Sequence, residues 1–286
     1  MTAPRSEGGG VQGPALVVLA ISFTQIGSAV AAMVFTMAGP VGTVALRLGL
    51  SALVLWLVVR PGLRGVSRLS WAAAAGYGLV LAAMNVLFYL AIDRIPLGTA
   101  VTLELLGPLT LSVITGRRWL SLLWAVVAGA GVVLLSWNPS ESLDPLGVVF
   151  ALGAGVMWAC YILLTRAAGR HFAGLAGMTL GMSIGALAVV PFAVATTGAV
   201  FLRPEVLLAG LGVALLSSTI PYALEMRALR SVPPSMFAVL LALSPAVAAL
   251  SGLVLLGQDL GVVGYLGIVC VVVAGVGATR TKPRAG

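Results

Sequence analysis

Residues 91–108 read AIDRIPLGTAVTLELLGP and residues 228–245 read ALRSVPPSMFAVLLALSP, and the two align without a gap at a constant offset of 137. Pro96 falls opposite Pro233, and Pro108 opposite Pro245. Both stretches lie inside long apolar runs, so what repeats is a pair of hydrophobic segments with their punctuation. Working outward, charge and Gly/Pro clusters cut the chain into ten apolar runs. They lie near 14–35, 41–59, 70–92, 97–115, 119–137, 146–165, 174–195, 205–229, 234–256 and 260–279. Each approaches the roughly 20 apolar residues that a helix needs to cross a bilayer core. Turn chemistry separates them at Arg60-Pro61-Gly62, Asn138-Pro139 and Val232-Pro233-Pro234. The first run is too long for the core of a signal peptide and is expected to be retained.

Five runs precede the repeat boundary and five follow it. An odd number per half inserts the second half upside down relative to the first, the mark of many secondary transporters, with a substrate site near the midplane. The expected fold is an all-α membrane protein of ten transmembrane helices. Two inverted five-helix repeats occupy 14–137 and 146–279.

Composition agrees. The 286 residues are 60% hydrophobic and 8% charged, where soluble domains carry roughly 25% charged residues. A secreted, disordered or nucleic-acid-binding protein is excluded. The net charge of +8 reflects orientation. With the N-terminus inside, Arg5, Arg60, Arg64, Arg68, Arg117, Arg118, Arg166, Arg170, Arg227, Arg230, Arg280, Lys282 and Arg284 collect on one side. Only Arg94 and Arg203 reach the other, and Arg47 stays within a span. The excess marks the cytoplasmic face, so both termini are expected in the cytoplasm of a multi-pass inner-membrane protein. The single lysine lies in the tail, far from any Gly-Lys-Ser/Thr step, so the chain carries no phosphate-binding loop. Cys160 and Cys270 sit inside apolar runs and imply no disulfide framework. His171, in a short loop beside Arg170, lacks a partner at metal-ligand spacing. No metal, cofactor or enzymatic activity is expected.

A charge at the centre of a spanning helix costs about 2.5–3.5 kcal/mol on insertion scales, so the charges that remain carry information. Arg47 and Glu104 each lie six or seven residues in from the outer face, about 10 Å deep at 1.5 Å per residue. They could pair if their spans are neighbours. A fixed pair that holds helices together is the favoured role for Arg47. For Glu104 that role stands level with a proton- or substrate-responsive one. Glu225 is shallower, with Arg227 and Arg230 following, yet Ser218, Tyr222 and Glu225 fall at i, i+4 and i+7 on one face. Pro108 cannot donate to the carbonyl of Glu104, nor Pro221 to that of Ser217, so these carbonyls need other partners. Asn85 and Tyr89 stand at i, i+4; Trp158, Tyr161 and Thr165 at i, i+3 and i+7. Such aromatic faces with polar tips suit small amphipathic ligands, although packing or an interfacial belt explains them as well. Gln25 is the only other mid-span amide, an alternative being an interhelical hydrogen bond. Gly181 and Gly185 have small-xxx-small spacing, whose readiest use is close packing within the chain.

These segments resemble the drug/metabolite transporter superfamily with two EamA-type repeats, and within it the threonine/homoserine exporters of the RhtA type. The resemblance is carried by TVALRLGLSAL at 43–53, AMNVLFYLAIDRIPLGTAVTLELLGPL at 83–109, ALGAGVMWACYIL at 151–163, STIPYALEMRAL at 218–229 and SPAVAALSG at 244–252. It implies export of small amino acids or related metabolites by alternating access, with protons as the exchanged ion. It also implies a central cavity that agrees with the choice of Gln25, Asn85, Tyr89, Glu104, Trp158, Tyr161 and Tyr222 as substrate-binding residues, and of Glu104, Arg47 and Glu225 as coupling or structural charges. The chain departs from that pattern at Ser244-Pro245, where relatives often carry Glu-Pro, and at Gln258, where they carry Glu. Glu104 or Glu225 would then take the acid's role. On the same fold, export of drugs, quaternary ammonium compounds or nucleobases is the rival expectation, and a non-transporting membrane scaffold the rival from another class.

Overall fold

The computed structural model describes residues 12–63, 66–116, 119–136, 143–172, 175–198, 200, 203–228, 232 and 234–280. Arg5, Arg64, Arg117, Arg118, Arg230, Lys282 and Arg284, and the turn residues Asn138, Pro139 and Pro233, lie outside them. Among the described residues the chain is all helical, without strands.

In chain order the helices are α1 (Gln12–Val59), α2 (Arg68–Ile92), α3 (Leu97–Gly116), α4 (Trp119–Ser136), α5 (Pro145–His171), α6 (Ala176–Thr197), α7 (Pro204–Ala214), α8 (Ile220–Ala228), α9 (Pro234–Leu241), α10 (Ser244–Leu256) and α11 (Gly261–Arg280). A π turn over Leu215–Thr219 joins α7 to α8. Five stretches are long and apolar enough to cross a membrane: Gln12–Val59, Arg68–Ile92, Pro145–Thr165, Ala176–Thr197 and Pro204–Glu225. Shorter apolar helices run over Leu97–Leu111, Ser244–Leu256 and Gly261–Gly277. With large apolar side chains such as Leu57, Leu187 and Val262 more than 70% exposed, this is the surface of a multi-pass membrane protein: its outside is as apolar as its core. His171 closes the last turn of α5 rather than standing in a loop, because the helix runs on past the apolar stretch.

The breaks follow the glycines and prolines. α1 comprises two arms, since Gly39 adopts φ 67°, ψ 169° ahead of Pro40, a conformation open to glycine. The carbonyl of Ala38 that this break releases accepts from Thr197 Oγ1 at 3.1 Å. α1 ends on Arg60 at φ 44°, a left-handed C-terminal cap followed by Pro61. Ser67 caps α2 by accepting from the Ser70 N–H at 3.1 Å.

Packing places α2 on α5 and α6, α3 on α5 and α10, α1 on α6, α7 and α8, and α4 on α11. Glycines set the closest crossings. A Cβ on Gly185 would stand 2.8 Å from the carbonyl oxygen of Gly78, and one on Gly181 would enter the Tyr77 ring. The small-xxx-small pair therefore packs α6 on α2 within the chain.

Candidate functional site

The site starts at the π turn. Pro221 has no N–H to offer the carbonyl of Ser217 four residues back, and the chain widens to i→i+5 pairing there, with the Ile220 N–H reaching the Leu215 carbonyl. Single π turns inside helices recur at functional sites. The freed Ser217 carbonyl accepts from Arg47 Nη2 at 3.0 Å, and Ser218 Oγ accepts from Arg47 Nε at 3.1 Å. Arg47 comes from the second arm of α1. Its Nη1 donates to the hydroxyl of Tyr89 on α2 at 3.2 Å, and its guanidinium carbon lies 5.6 Å from the centre of that ring. One buried guanidinium thus ties together α1, α2 and the π turn, which are far apart in sequence. Ser51, one turn further along α1, donates to the Ala214 carbonyl at 3.3 Å, and Gly27 of the first arm rests against the Ser217 backbone.

Glu104 on α3 is buried. It and Arg47 act on each other through space, but the two do not form an ion pair. Among the described residues Glu104 has neither an ion-pair nor a hydrogen-bond partner. Its backbone is gripped closely: a Cβ on Gly155 of α5 would lie 2.7 Å from the Glu104 carbonyl oxygen, the same carbonyl that Pro108 leaves without a helical donor. Gly155 and Gly107 meet backbone to backbone, which fixes α3 on α5 at the level of the carboxylate.

Three tyrosines close the other side. Tyr77 donates to Tyr161 at 3.3 Å, with ring centroids 5.2 Å apart. Tyr222 interacts electrostatically with Tyr161, Arg47 and Glu225, and Glu225 also acts on Tyr161. Arg47, Tyr89, Glu104, Tyr161, Tyr222 and Glu225 therefore belong to one polar belt. Phe35 packs on Tyr89 at 5.4 Å.

Other residues singled out from the sequence make no hydrogen bond to the belt's side chains among the described residues. Asn85 is buried and donates to the Leu81 carbonyl of its own helix at 2.8 Å. Gln25 is buried, and among the described residues neither its Oε1 nor Ser217 Oγ has a hydrogen-bond partner. Trp158, half-buried, follows Gly155 by three residues on α5 and has no hydrogen bond or ring contact to the belt among the described residues. Thr165 is exposed and donates back to the Tyr161 carbonyl at 2.7 Å, so its hydroxyl is spent on its own helix. Tyr77 escaped the sequence reading, whereas Ser217 was reached only through its carbonyl. For Tyr77 a signal existed, since 77, 85 and 89 continue one helical face at spacings of eight and four.

Residues 145–279 match the EamA-like transporter family. The chain is 37% identical over 274 residues to the threonine/homoserine exporter RhtA of Salmonella typhimurium, covering 95% of this chain and 92% of that protein. The chain belongs to the EamA-like transporter family. The same-named exporter of Escherichia coli K12 is 37% identical over 268 residues, covering 93% of this chain and 90% of that one. In fold, the family member resembles a solved structure described as "Crystal structure of protein", with a TM-score of 0.62, 17% identity, and coverage of 93% of this chain and 99% of that one. Among the described residues no cluster of three or more His, Cys, Asp and Glu could hold a metal ion.

Proposed function

We propose that the protein is a secondary exporter of small amino acids of the threonine/homoserine kind, or of related metabolites, in the cytoplasmic membrane of a bacterium. Two inverted five-helix halves, 14–137 and 146–279, rock about the polar belt to alternate access. Likeness to the RhtA exporters over nearly the whole chain supports the cargo class. The inverted arrangement is supported by packing in which α2 lies on α5 and α6 while α7 and α8 lie on α1. The thirteen basic residues against two support cytoplasmic termini.

The observation that carries this reading is Glu104, a buried carboxylate with no hydrogen-bond or ion-pair partner among the described residues, beside an arginine that is held from the other half. Intramembrane charges used as glue are paired. An unpaired one is placed to meet cargo and protons. Glu104 exchanges a proton between the two faces as the halves move. Tyr89, Tyr161, Tyr222 and Trp158 pack the cargo's side chain, while Asn85 and Gln25 contribute to binding its polar backbone; Gln25 Oε1, without a hydrogen-bond partner among the described residues, suits an ammonium or hydroxyl donor. Glu225 lies toward the cytoplasmic mouth. A scaffold would have no use for Glu104.

Counterflow tests the reading. Purified protein in liposomes loaded with threonine accumulates labelled external threonine and is inhibited by homoserine; absence of counterflow with both contradicts it. One observation favours export of cationic drugs instead, the trio Tyr77, Tyr161 and Tyr222, since aromatic faces attract cations. Counterflow blocked by ethidium but not by homoserine would select that alternative.

A further inference from the structure

Arg47 has five N–H donors, and the structure commits three of them: Nε to Ser218 Oγ, one proton of Nη1 to Tyr89, and one of Nη2 to the Ser217 carbonyl. All three acceptors are neutral. One N–H remains on each terminal nitrogen. A guanidinium that is 8% exposed and lacks an anion in contact is incompletely compensated, since burying a charge is tolerated when it is paired as well as hydrogen-bonded. The scaffold around it is nevertheless rigid. Three helical segments aim it, and Tyr89, fully buried, accepts from Nη1 and so retains its own hydroxyl proton to donate. Two N–H groups on adjacent terminal nitrogens form the fork that a carboxylate accepts as a bidentate pair. Glu104, within the electrostatic reach of Arg47 but forming no ion pair with it, supplies the opposite charge nearby.

We infer that Arg47 is the carboxylate anchor of the cargo site, holding the α-carboxylate of a zwitterionic substrate on its two uncommitted N–H groups while Glu104 faces the ammonium. The inference rests on the reading of the belt as the transport site and goes further by naming the group recognised. It makes Arg47 a specificity residue as well as a helix tie. Cargo must carry a carboxylate, and amino alcohols, esters and quaternary ammonium compounds are discriminated against at this point.

The test compares binding of threonine and of threoninol, which replaces the carboxylate by a hydroxymethyl group, to the full-length protein in detergent, with Arg47→Lys beside the wild type. Threonine binds the wild type better by about tenfold or more, the scale of a lost charge-assisted fork. Lysine keeps the charge without the fork, so Arg47→Lys closes most of that gap chiefly by weakening threonine. Equal binding of the two probes to the wild type overturns the inference. A gap that persists in Arg47→Lys overturns Arg47 as the anchor and leaves the exporter reading standing. Failure of both probes to bind the wild type overturns the exporter reading, and the anchor with it. If Arg47→Lys does not fold, Ser218→Ala takes its place: it removes the acceptor of Nε alone, and the gap then narrows several-fold if Arg47 is the anchor and stays unchanged if it is not.

Discussion

The segments 91–108 and 228–245 share their prolines but not their structures. α3 runs unbroken through Pro108, whereas the chain before Pro245 breaks at Ala242 and Leu243 and restarts as α10. One contribution is local. The residue before a proline clashes with its ring through its own Cβ; Gly107 lacks that atom and Ser244 has it. The second contribution is packing, because Gly155 clamps α3 backbone to backbone just there. The chemistry differs in the same sense. Glu104 stands where the offset of 137 places Leu241 in the other segment. A shared pattern therefore builds one unbroken helix and one broken one, and only the first carries a carboxylate at this position. The two are also joined, since the Leu97 N–H at the start of α3 donates to Gln258 Oε1, just past α10, at 2.9 Å.

The hardest way to break this comparison is Gly155→Val. Its added atoms meet the Glu104 carbonyl at 2.7 Å or less, and overpacking at that level costs about 1–3 kcal/mol. A large fall in thermal midpoint is expected, with loss of threonine counterflow in whatever folds. Pro108→Ala is gentler and has the opposite sign for stability. It returns an N–H to the Glu104 carbonyl, worth about 1 kcal/mol, so the midpoint rises while transport falls as α3 stiffens; the same change at Pro245, in a chain already broken, raises the midpoint less. Gln258→Ala removes the tie between the segments and costs about 1 kcal/mol, visible as faster hydrogen exchange at the Leu97 amide.

The smallest effect lies at the outer edge, where Arg94 Nη1 donates to Asp144 Oδ2 at 2.9 Å and the Leu146 N–H to Oδ1 at 2.8 Å. The Arg94 guanidinium, helped by that N–H, holds the Asp144 carboxyl below the ordinary carboxylate range. A lowered value means the contribution is present above the unfolded carboxylate pKa and is lost as pH falls through the folded one. Asp144→Asn should therefore trim stability slightly at neutral pH and flatten its decline below about pH 4. An exposed pair is worth little, so a large shift would mean that α5 depends on this cap more than its exposure allows.

Much of this was legible before any coordinates. Hydrophobic runs located the apolar helical stretches, because the bilayer fixes their length, but not their breaks and extensions: the run 234–256 splits into α9 and α10, and α5 runs on to His171. Pro221 identified the Ser217 carbonyl as one in need of a partner, and Arg47 supplies it. Arg47, Glu104, Tyr89, Tyr161, Tyr222 and Glu225 were all nameable as polar groups that lipid would penalise. What the sequence hid was long-range or irregular. A π turn adds one residue to a helical turn without changing composition, so LLSST at 215–219 reads as ordinary helix, yet it is what lets Ser217 and Ser218 both serve Arg47. Tyr77 meets a partner 84 residues away. A pair between Arg47 and Glu104 is possible from the sequence; the structure instead holds Arg47 on neutral groups.

The most direct test of the central claim is threonine flux driven by an imposed pH gradient in liposomes carrying wild type or Glu104→Gln. The account predicts that the wild type accumulates threonine against its gradient. The variant, still folded and still binding threonine measurably, no longer responds to the pH gradient. Gradient-driven accumulation that survives unchanged in Glu104→Gln would contradict it.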